Sequence, residues 1–401
     1  MKLSYLIFGV LLLMLVNVKV QGQPIEEKKQ ASEECLLGKE YLANYQFQKA
    51  MESFNVCYQN DFENLNYLKK IALCNYKLGQ FKDSKENYQK ILRKDSVNIT
   101  ALNQLGIIYS KESNYKKALE QYETLIEIDT LNSYYHKRAA EFFTKTNNFI
   151  GSVMNYEKAH QLNPKDIEII LALSKVYGQV DELYHPRIND LIYLGMMLDS
   201  TNIKLRLLQA KTAYKQKRYS KVIKSVERLF ELTTDTSSYA LKIYGISYFQ
   251  IKDYLNAINI LEKVIAINPE SEVIYYYLGL SYKAIGDYAK SVQYFEKAID
   301  QAVSKNLSNY YTNLAIIYEE QGKYKKSIEK TYKASYKSSK DKILLYHLAR
   351  NYDMHYKDKK MALQYFEKYM AANDTGNIEY KDYSKHRISE LKKVIHFDTV
   401  D

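Results

Sequence analysis

Apolar residues along this chain recur at separations of three, four and seven positions, the spacing that places them on one face of a helix. Two such stretches lie close together, joined by a short turn such as Leu78-Gly79-Gln80-Phe81 or Ile285-Gly286-Asp287-Tyr288. The pattern then returns, and four successive starts are 34 residues apart. It predicts a series of helical hairpins, because a single hairpin cannot bury its rings alone and must stack on its neighbours.

Small residues recur at one fixed place in each helix of the hairpin. In the first helices they are Gly38, Ala72, Gly106, Ala140, Ser174, Ala210, Gly245, Gly279, Ala315 and Ala349. In the second helices they are Ala50, Ser84, Ala118, Ser152, Ala257, Ser291, Ser327 and Ala362. Small side chains let two helix backbones approach closely, while larger rings fill the grooves between hairpins.

The clearest copy carries Leu278-Gly279, Tyr282, Gly286, Tyr288 and Ala298. This pattern resembles the tetratricopeptide repeat, a 34-residue helical hairpin with a large residue, Leu-Gly, Tyr, Gly-x-Tyr and Ala at fixed places. About ten copies cover residues 31–375, with starts near 31, 65, 99, 133, 167, 203, 238, 272, 308 and 342. The resemblance implies an all-α fold, a right-handed superhelical solenoid of antiparallel helix pairs.

The C-terminal segment and the fifth copy depart from the repeat pattern, and each leads to its own prediction. Residues 376–401 contain an amphipathic segment, which predicts a C-terminal capping helix and a tail. In the fifth copy, Asp181-Glu182-Leu183-Tyr184-His185-Pro186 replaces the usual turn, so we expect His185 and Pro186 in a lengthened surface loop. One continuous array is expected, in place of the two or three domains that 401 residues could form.

The N-terminal residues place Lys2 before an apolar run from Tyr5 to Val16. This pattern predicts a secretory signal peptide over residues 1–22, followed by a short linker over residues 23–30. The alternative is a retained anchor, although the twelve apolar residues are fewer than the roughly 20 that cross a bilayer. No cysteine lies near enough for lipid attachment, so we expect a periplasmic or cell-surface protein without a lipid anchor or a membrane span after cleavage.

The chain is basic, with a formal net charge of +11, or +9 without Lys2 and Lys19 of the signal. An exported basic protein more plausibly meets acidic proteins or anionic surfaces than nucleic acid. Charge is concentrated in the sixth copy, where residues 203–236 hold nine basic and three acidic side chains.

The sequence offers little catalytic chemistry. No glycine-rich phosphate loop or His-Glu-x-x-His pair is present, and His347 and His355 are eight residues apart, a spacing that favours surface roles over shared metal ligation. We therefore expect no enzyme activity, cofactor or metal. A disulfide between Cys57 and Cys74, on elements expected to pack together, is one reading of the cysteines, and buried free thiols are the other.

The concave face is the candidate binding surface. The resemblance implies that first helices line this face and hold an extended partner segment. By their places in those helices the candidates are Lys137, Lys175, Lys211, Lys215, Lys242, Tyr276, Tyr346 and Arg350. The alternative is that the lysines form a solvated face that keeps the protein soluble.

These observations favour a non-catalytic scaffold that binds a protein or peptide, of acidic character, in the concave groove. An envelope glycan-binding protein is the alternative, because tyrosine-rich surfaces can stack on sugar rings. The two hypotheses separate experimentally, by partner capture or by binding to glycans.

Overall fold

The structure is a computed structural model that describes residues 25–233, 237–302, 306–337, 342–372 and 378–397. Within these ranges the chain forms 21 α-helices, one short 3-10 turn and no strands. Helices pair in order along the chain, the two members of each pair packing against each other, so the predicted all-α array of hairpins is confirmed.

The chain divides into two compact units, the first ending at Leu198 and the second beginning at Asp199. The first contains α1 Ile25–Ala43, α2 Phe47–Asn60, α3 Leu65–Lys77, α4 Phe81–Lys94, α5 Ile99–Lys111, α6 Tyr115–Ile128, α7 Ser133–Lys145, α8 Phe149–Leu162, α9 Ile167–Val180 and α10 His185–Leu198. The second contains α11 Ile203–Lys215, α12 Tyr219–Leu232, α13 Ser238–Gln250, α14 Tyr254–Ile267, α15 Glu272–Ala284, α16 Tyr288–Asp300, α17 Leu307–Glu320, α18 Tyr324–Lys337, α19 Ile343–His355, α20 Lys360–Ala371 and α21 Ile378–Phe397. Within each unit, the second helix of each pair also packs on the first helix of the next pair.

Side-chain caps define where many helices begin. First helices are capped by Asn64, Asn98, Asn132, Asp166, Asn202 and Ser237, whose side chains accept a hydrogen bond from a backbone N–H of the first turn. Such caps satisfy donors that have no partner inside the helix. The first four caps are 34 residues apart, so the capping signal follows the same period as the apolar pattern.

A three-residue turn joins the two helices of most pairs. Its central residue adopts a left-handed backbone conformation, with φ values from 56° to 81° at Tyr45, Gly79, Ser113, Asn147, Lys217, Lys252, Gly286 and Gly322. Glycine adopts this conformation without strain, whereas the five other residues do not.

The small residues bring paired helices into direct contact. A Cβ atom added to Gly106 would lie 2.5 Å from a ring carbon of Tyr122, so no larger residue fits there without a shift. In four pairs a fully buried serine of the second helix donates a hydrogen bond to the carbonyl of the small residue twelve positions earlier. These bonds are Ser84 to Ala72, Ser152 to Ala140, Ser291 to Gly279 and Ser327 to Ala315, with oxygen-to-oxygen distances of 2.7 to 3.0 Å.

The fifth pair departs from this pattern, though not as expected. A 3-10 turn at Glu182–Tyr184 follows α9, and His185 and Pro186 then form the first turn of α10. The prediction that they lie in a loop is wrong, because proline is compatible with the first helical turn, where its missing N–H would have no partner. The N-terminal expectation also changes: α1 begins at Ile25, so residues 25–30 are helical and not a linker. The predicted signal peptide at residues 1–22 lies outside the described residues.

The last helix covers the end of the second unit, as predicted. Leu391 of α21 is fully buried, and Tyr380 stacks on Tyr346 of α19 with 4.3 Å between ring centroids. Arg387 of α21 forms a two-pronged ion pair with the buried Asp353 of α19, at 2.7 and 3.0 Å. None of the described helices has the length and apolar character needed to span a membrane.

The cysteine pairing differs from the prediction. Cys57 of α2 forms a disulfide with Cys35 of α1, with Cα atoms 5.8 Å apart, and Cys74 of α3 is a buried free thiol. All three lie in one apolar cluster with Phe54 and Ile71. The disulfide therefore joins the two helices of the first hairpin, where facing positions lie close, instead of joining successive hairpins.

Candidate functional site

In the first unit the structure separates the two predicted lysines by environment. Lys137 of α7 is only 15% exposed and forms ion pairs with Glu168 and, at 3.3 Å, with Asp166. Burial opposes its charge, but the two carboxylates outweigh burial and raise its pKa. The Lys137 side chain is therefore engaged in ion pairs within the protein. Lys175 of α9 is exposed and forms no ion pair within the described part of the chain.

In the second unit three predicted lysines lie on the neighbouring first helices α11 and α13. The Lys211 ammonium is 4.8 Å from the ring centroid of Tyr239, which is 43% exposed. Lys215 lies one turn after Lys211 on α11, and Lys242 lies one turn after Tyr239 on α13, so each pair shares a helix face. We call Lys211, Lys215, Tyr239 and Lys242 the basic–aromatic surface.

Aromatic side chains adjoin this surface. Burial, together with the nearby hydroxyls of Tyr277, Tyr219 and Tyr239, raises the pKa of Tyr214 to about 12. Burial also raises the pKa of Tyr239 and of Tyr277, so these two phenols and Tyr214 stay neutral at physiological pH and supply ring surface and hydroxyls. The basic–aromatic surface thus combines cations with apolar contact area.

The remaining predicted residues are engaged within the protein. Tyr276 packs its ring on Tyr310, with centroids 5.0 Å apart, and Arg350 forms a 3.0 Å ion pair with Glu319. Tyr346 is buried beneath α21, so its prediction as a ligand contact is wrong. The reason is that Tyr380 of α21 stacks on the ring face that a partner segment was expected to contact.

Glu319 gathers a buried polar cluster at the junction of α17 and α19. Its carboxylate lies 3.1 Å from His347 Nδ1 and accepts a hydrogen bond from the Asn351 amide, besides the ion pair with Arg350. Burial alone would raise the pKa of Glu319, but these partners outweigh it and lower the pKa. His347 is thus mostly buried and takes part in packing, contrary to the expected surface role. Among the side chains that the structure describes, no three His, Cys, Asp or Glu groups gather as a metal site requires.

A pocket of about 460 Å³ lies wholly within the first unit, among α8, α9 and α10, and sequence reasoning missed it. Its lining includes Glu157, His160, Gln161, Leu173, Tyr177, Arg187, Asp190, Leu191 and Leu194. The one signal in the sequence was the irregular fifth copy, which indicated that the pair α9 and α10 is unusual but did not indicate the chemistry of the pocket.

Comparison with known proteins identifies the repeat. Sequence models described as tetratricopeptide repeat match residues 270–340 and residues 99–130 and 243–271. No curated protein matches the chain.

Several solved structures are similar. One is a MamA protein, 22% identical over 42% of this chain and 91% of that chain, with a TM-score of 0.39. Another is YrrB, titled as a TPR protein with an unusual peptide-binding site, 14% identical over 47% of this chain and 95% of that chain, with a TM-score of 0.42. The Cut9–Hcn1 structure of the APC/C is 12% identical over 89% of this chain and 96% of that chain, with a TM-score of 0.44.

The family matches fall in both units, at hairpins whose turns, caps and small-residue contacts recur in the other hairpins of the chain. Repeats of this family generally serve protein–protein interaction and not catalysis. Tetratricopeptide repeats are therefore present in both units of the chain, at residues 99–130 and 243–340.

Proposed function

We propose that this chain is an exported, non-catalytic scaffold that binds an acidic segment of a partner protein on the basic–aromatic surface of α11 and α13. The observation that carries the proposal is the contact of the half-buried Lys211 with the exposed ring of Tyr239, extended on the same helix faces by Lys215 and Lys242. Carboxylates of a partner would pair with the ammonium groups, and its apolar side chains would cover the tyrosine ring.

Charge reversal tests the surface directly. Purified protein is titrated with fluorescent twelve-residue peptides whose net charge is graded from acidic to basic. We expect tightest binding for the acidic peptides, weakening with added salt because exposed charges are screened. A Lys211→Glu/Lys242→Glu variant is expected to lose about tenfold in affinity, since two attractive contacts become repulsive.

The matched control is Lys224→Glu/Lys263→Glu, which also reverses two lysines of the same unit, both of them exposed, on the second helices α12 and α14. It is expected to keep most of the affinity. Equal losses of affinity in both double variants would show that net charge, and not this surface, explains the binding. No loss of affinity in either variant would refute the proposed surface.

Export is supported by the apolar N-terminal segment and by the Cys35–Cys57 disulfide, since structural disulfides persist in oxidising compartments. Fractionation of cells expressing the full chain, followed by N-terminal sequencing, tests it. The proposal requires a mature chain outside the cytoplasm that begins near residue 23. An intact N-terminus in the cytoplasmic fraction would refute it.

A further inference from the structure

The pocket among α8, α9 and α10 originates in the irregular fifth hairpin. The small-residue place of its second helix is occupied by the buried Ile188, where eight of the other copies have alanine or serine and the sixth has Val222. Twelve positions after Ser174 the chain has Pro186, which has no hydroxyl to form the serine-to-carbonyl hydrogen bond of four other pairs. The α9 and α10 helices also pack against each other less extensively than the helices of the other described pairs. A bulky residue at a contact that small residues elsewhere keep close leaves space between helices.

The floor of the pocket is apolar and its rim is polar. Leu173 and Leu191 are buried and Leu194 is half-buried, giving a leucine floor from α9 and α10. A volume of about 460 Å³ falls within the range of about 300 to 1,000 Å³ typical of small-ligand sites. Such a space accommodates one side chain or a small molecule with an aliphatic part.

The rim carries an excess of negative charge that its own contacts do not cancel. The Glu157 carboxylate accepts a hydrogen bond from the Tyr177 hydroxyl and lies 3.3 Å from Arg187 Nη1. Arg187 also lies over the ring of Tyr184 in the 3-10 turn, 5.9 Å from its centroid, so it is held against that turn and Glu157. Asp190, one turn after Arg187 on α10, is exposed and forms no ion pair within the described residues. One cation therefore faces two carboxylates, in a protein whose net charge is +11.

A neutral acceptor completes the rim. His160 Nδ1 is buried and has no hydrogen-bond partner among the described residues. Burial lowers the pKa of His160, so the imidazole is uncharged at neutral pH and one ring nitrogen can accept a hydrogen bond. A buried polar atom without a partner is uncommon, and a ligand N–H would satisfy it.

We propose that this pocket binds a cationic group on an aliphatic stem, an ammonium or guanidinium, with the stem on Leu173, Leu191 and Leu194. Asp190 and Glu157 pair with the cation, and His160 Nδ1 accepts one of its N–H groups. Long cationic side chains lie on apolar surface in this way while the charged head stays at the polar rim. The ligand is opposite in charge to the segment proposed for α11 and α13, so the two sites are independent and either proposal stands without the other.

Binding of defined probes tests the pocket. The full chain, labelled with ¹⁵N, is titrated with capped Gly-Arg-Gly and Gly-Lys-Gly peptides and with the free amines agmatine and cadaverine. Capped Gly-citrulline-Gly and Gly-norleucine-Gly serve as uncharged counterparts of similar shape. We expect saturable shifts of α8–α10 amides with the cationic probes and at least tenfold weaker binding of the uncharged ones. Tighter binding of the peptides identifies a partner side chain as the source, and tighter binding of the amines identifies a small molecule.

Variants locate the site. Asp190→Asn is expected to weaken cation binding about fivefold to tenfold, whereas Asp83→Asn, which removes an exposed carboxylate from α4, should leave it unchanged. Leu194→Phe, which narrows the pocket without altering charge, should also weaken it, and circular dichroism confirms that each variant folds. Equal binding of the norleucine peptide, preferential binding of an acidic peptide, or no saturable shift at 10 mM probe would each overturn the proposal.

Discussion

At the scale of single residues, the hairpin turn shows how the repeat tolerates substitution. Its central position has a left-handed φ in eight of the hairpins, yet glycine occupies only Gly79, Gly286 and Gly322. An L-residue in this conformation is strained by about 1–2 kcal/mol, because its Cβ approaches the following carbonyl oxygen. The other five turns retain that strain because packing of both helices fixes the turn.

Relieving the strain is expected to stabilise the second unit. In Lys217→Gly, φ of 56° becomes favourable, and after the extra flexibility of the unfolded chain is subtracted we expect a gain of about 1 kcal/mol. Urea unfolding followed by circular dichroism measures this change. Lys224→Gly, an exposed position inside α12, is the matched control and should lose about 1 kcal/mol. Loss of stability in both variants would contradict the argument.

At the scale of helices, the Glu319 cluster links α17 to α19 in a pH-dependent way. The carboxylate is bound by His347, Arg350 and Asn351, and its pKa lies below the ordinary value of 4.5. Folding therefore favours its charged form. The stability that this group contributes is fully present above its unfolded pKa and is lost as the pH falls through the lowered folded pKa.

Glu319→Gln is expected to show this dependence. The variant should be less stable than the wild type at pH 7, because a buried network loses its charge, and the difference should shrink as the pH falls below about 4.5. Urea unfolding between pH 3 and pH 7 measures both quantities. Glu270→Gln, at an exposed carboxylate of the same unit, should change little at any pH. A difference that stays constant with pH would show that lost packing, and not charge, explains the effect.

Helix positions were predictable from the sequence, but several partners were not. The 34-residue period and the small residues predicted the hairpins because both report on helix contacts that repeat. The burial of Tyr346 was missed because its covering ring, Tyr380, lies 34 residues later, on a helix that occupies the place of an eleventh first helix. The cysteine pairing was missed because it depends on the rotation of α1 and α2 about their axes, which apolar spacing fixes only approximately.

The pocket lies beyond such reasoning for a related physical reason. A prediction from the repeat gives each residue the same environment as the residues at the same position in other copies. The fifth hairpin is two residues longer than the 34-residue period, so this correspondence fails there. The chemistry of Glu157, His160 and Asp190 arises from how α10 is placed after the break. Only the structure shows that these side chains meet.

At the scale of the whole molecule, stability in a repeat protein is the sum of hairpins and their nearest-neighbour contacts. The Cys35–Cys57 disulfide acts at one end of this sum, because it closes a loop between positions 22 apart. A closed loop of that length contributes about 3 kcal/mol by restricting the unfolded chain.

Removing the disulfide is therefore expected to weaken one region and spare another. In Cys35→Ser/Cys57→Ser, amide hydrogen exchange should accelerate in α1 and α2, consistent with a loss of about 3 kcal/mol, while the second unit keeps its protection. Adding a reductant to this variant should change nothing, whereas it should reproduce the effect in the wild type. Uniform acceleration across both units would contradict nearest-neighbour behaviour.

The serine bonds between paired helices have a mechanical consequence. Each bond, such as Ser291 to the Gly279 carbonyl, holds only at one axial alignment of its two helices, so a slide by one turn would leave a buried hydroxyl without an acceptor. Hairpins with this bond resist shear along their axes, and they pack more extensively within the pair than against the next pair. Bending within each unit is thus concentrated at the joints between hairpins, as in a chain of stiff links.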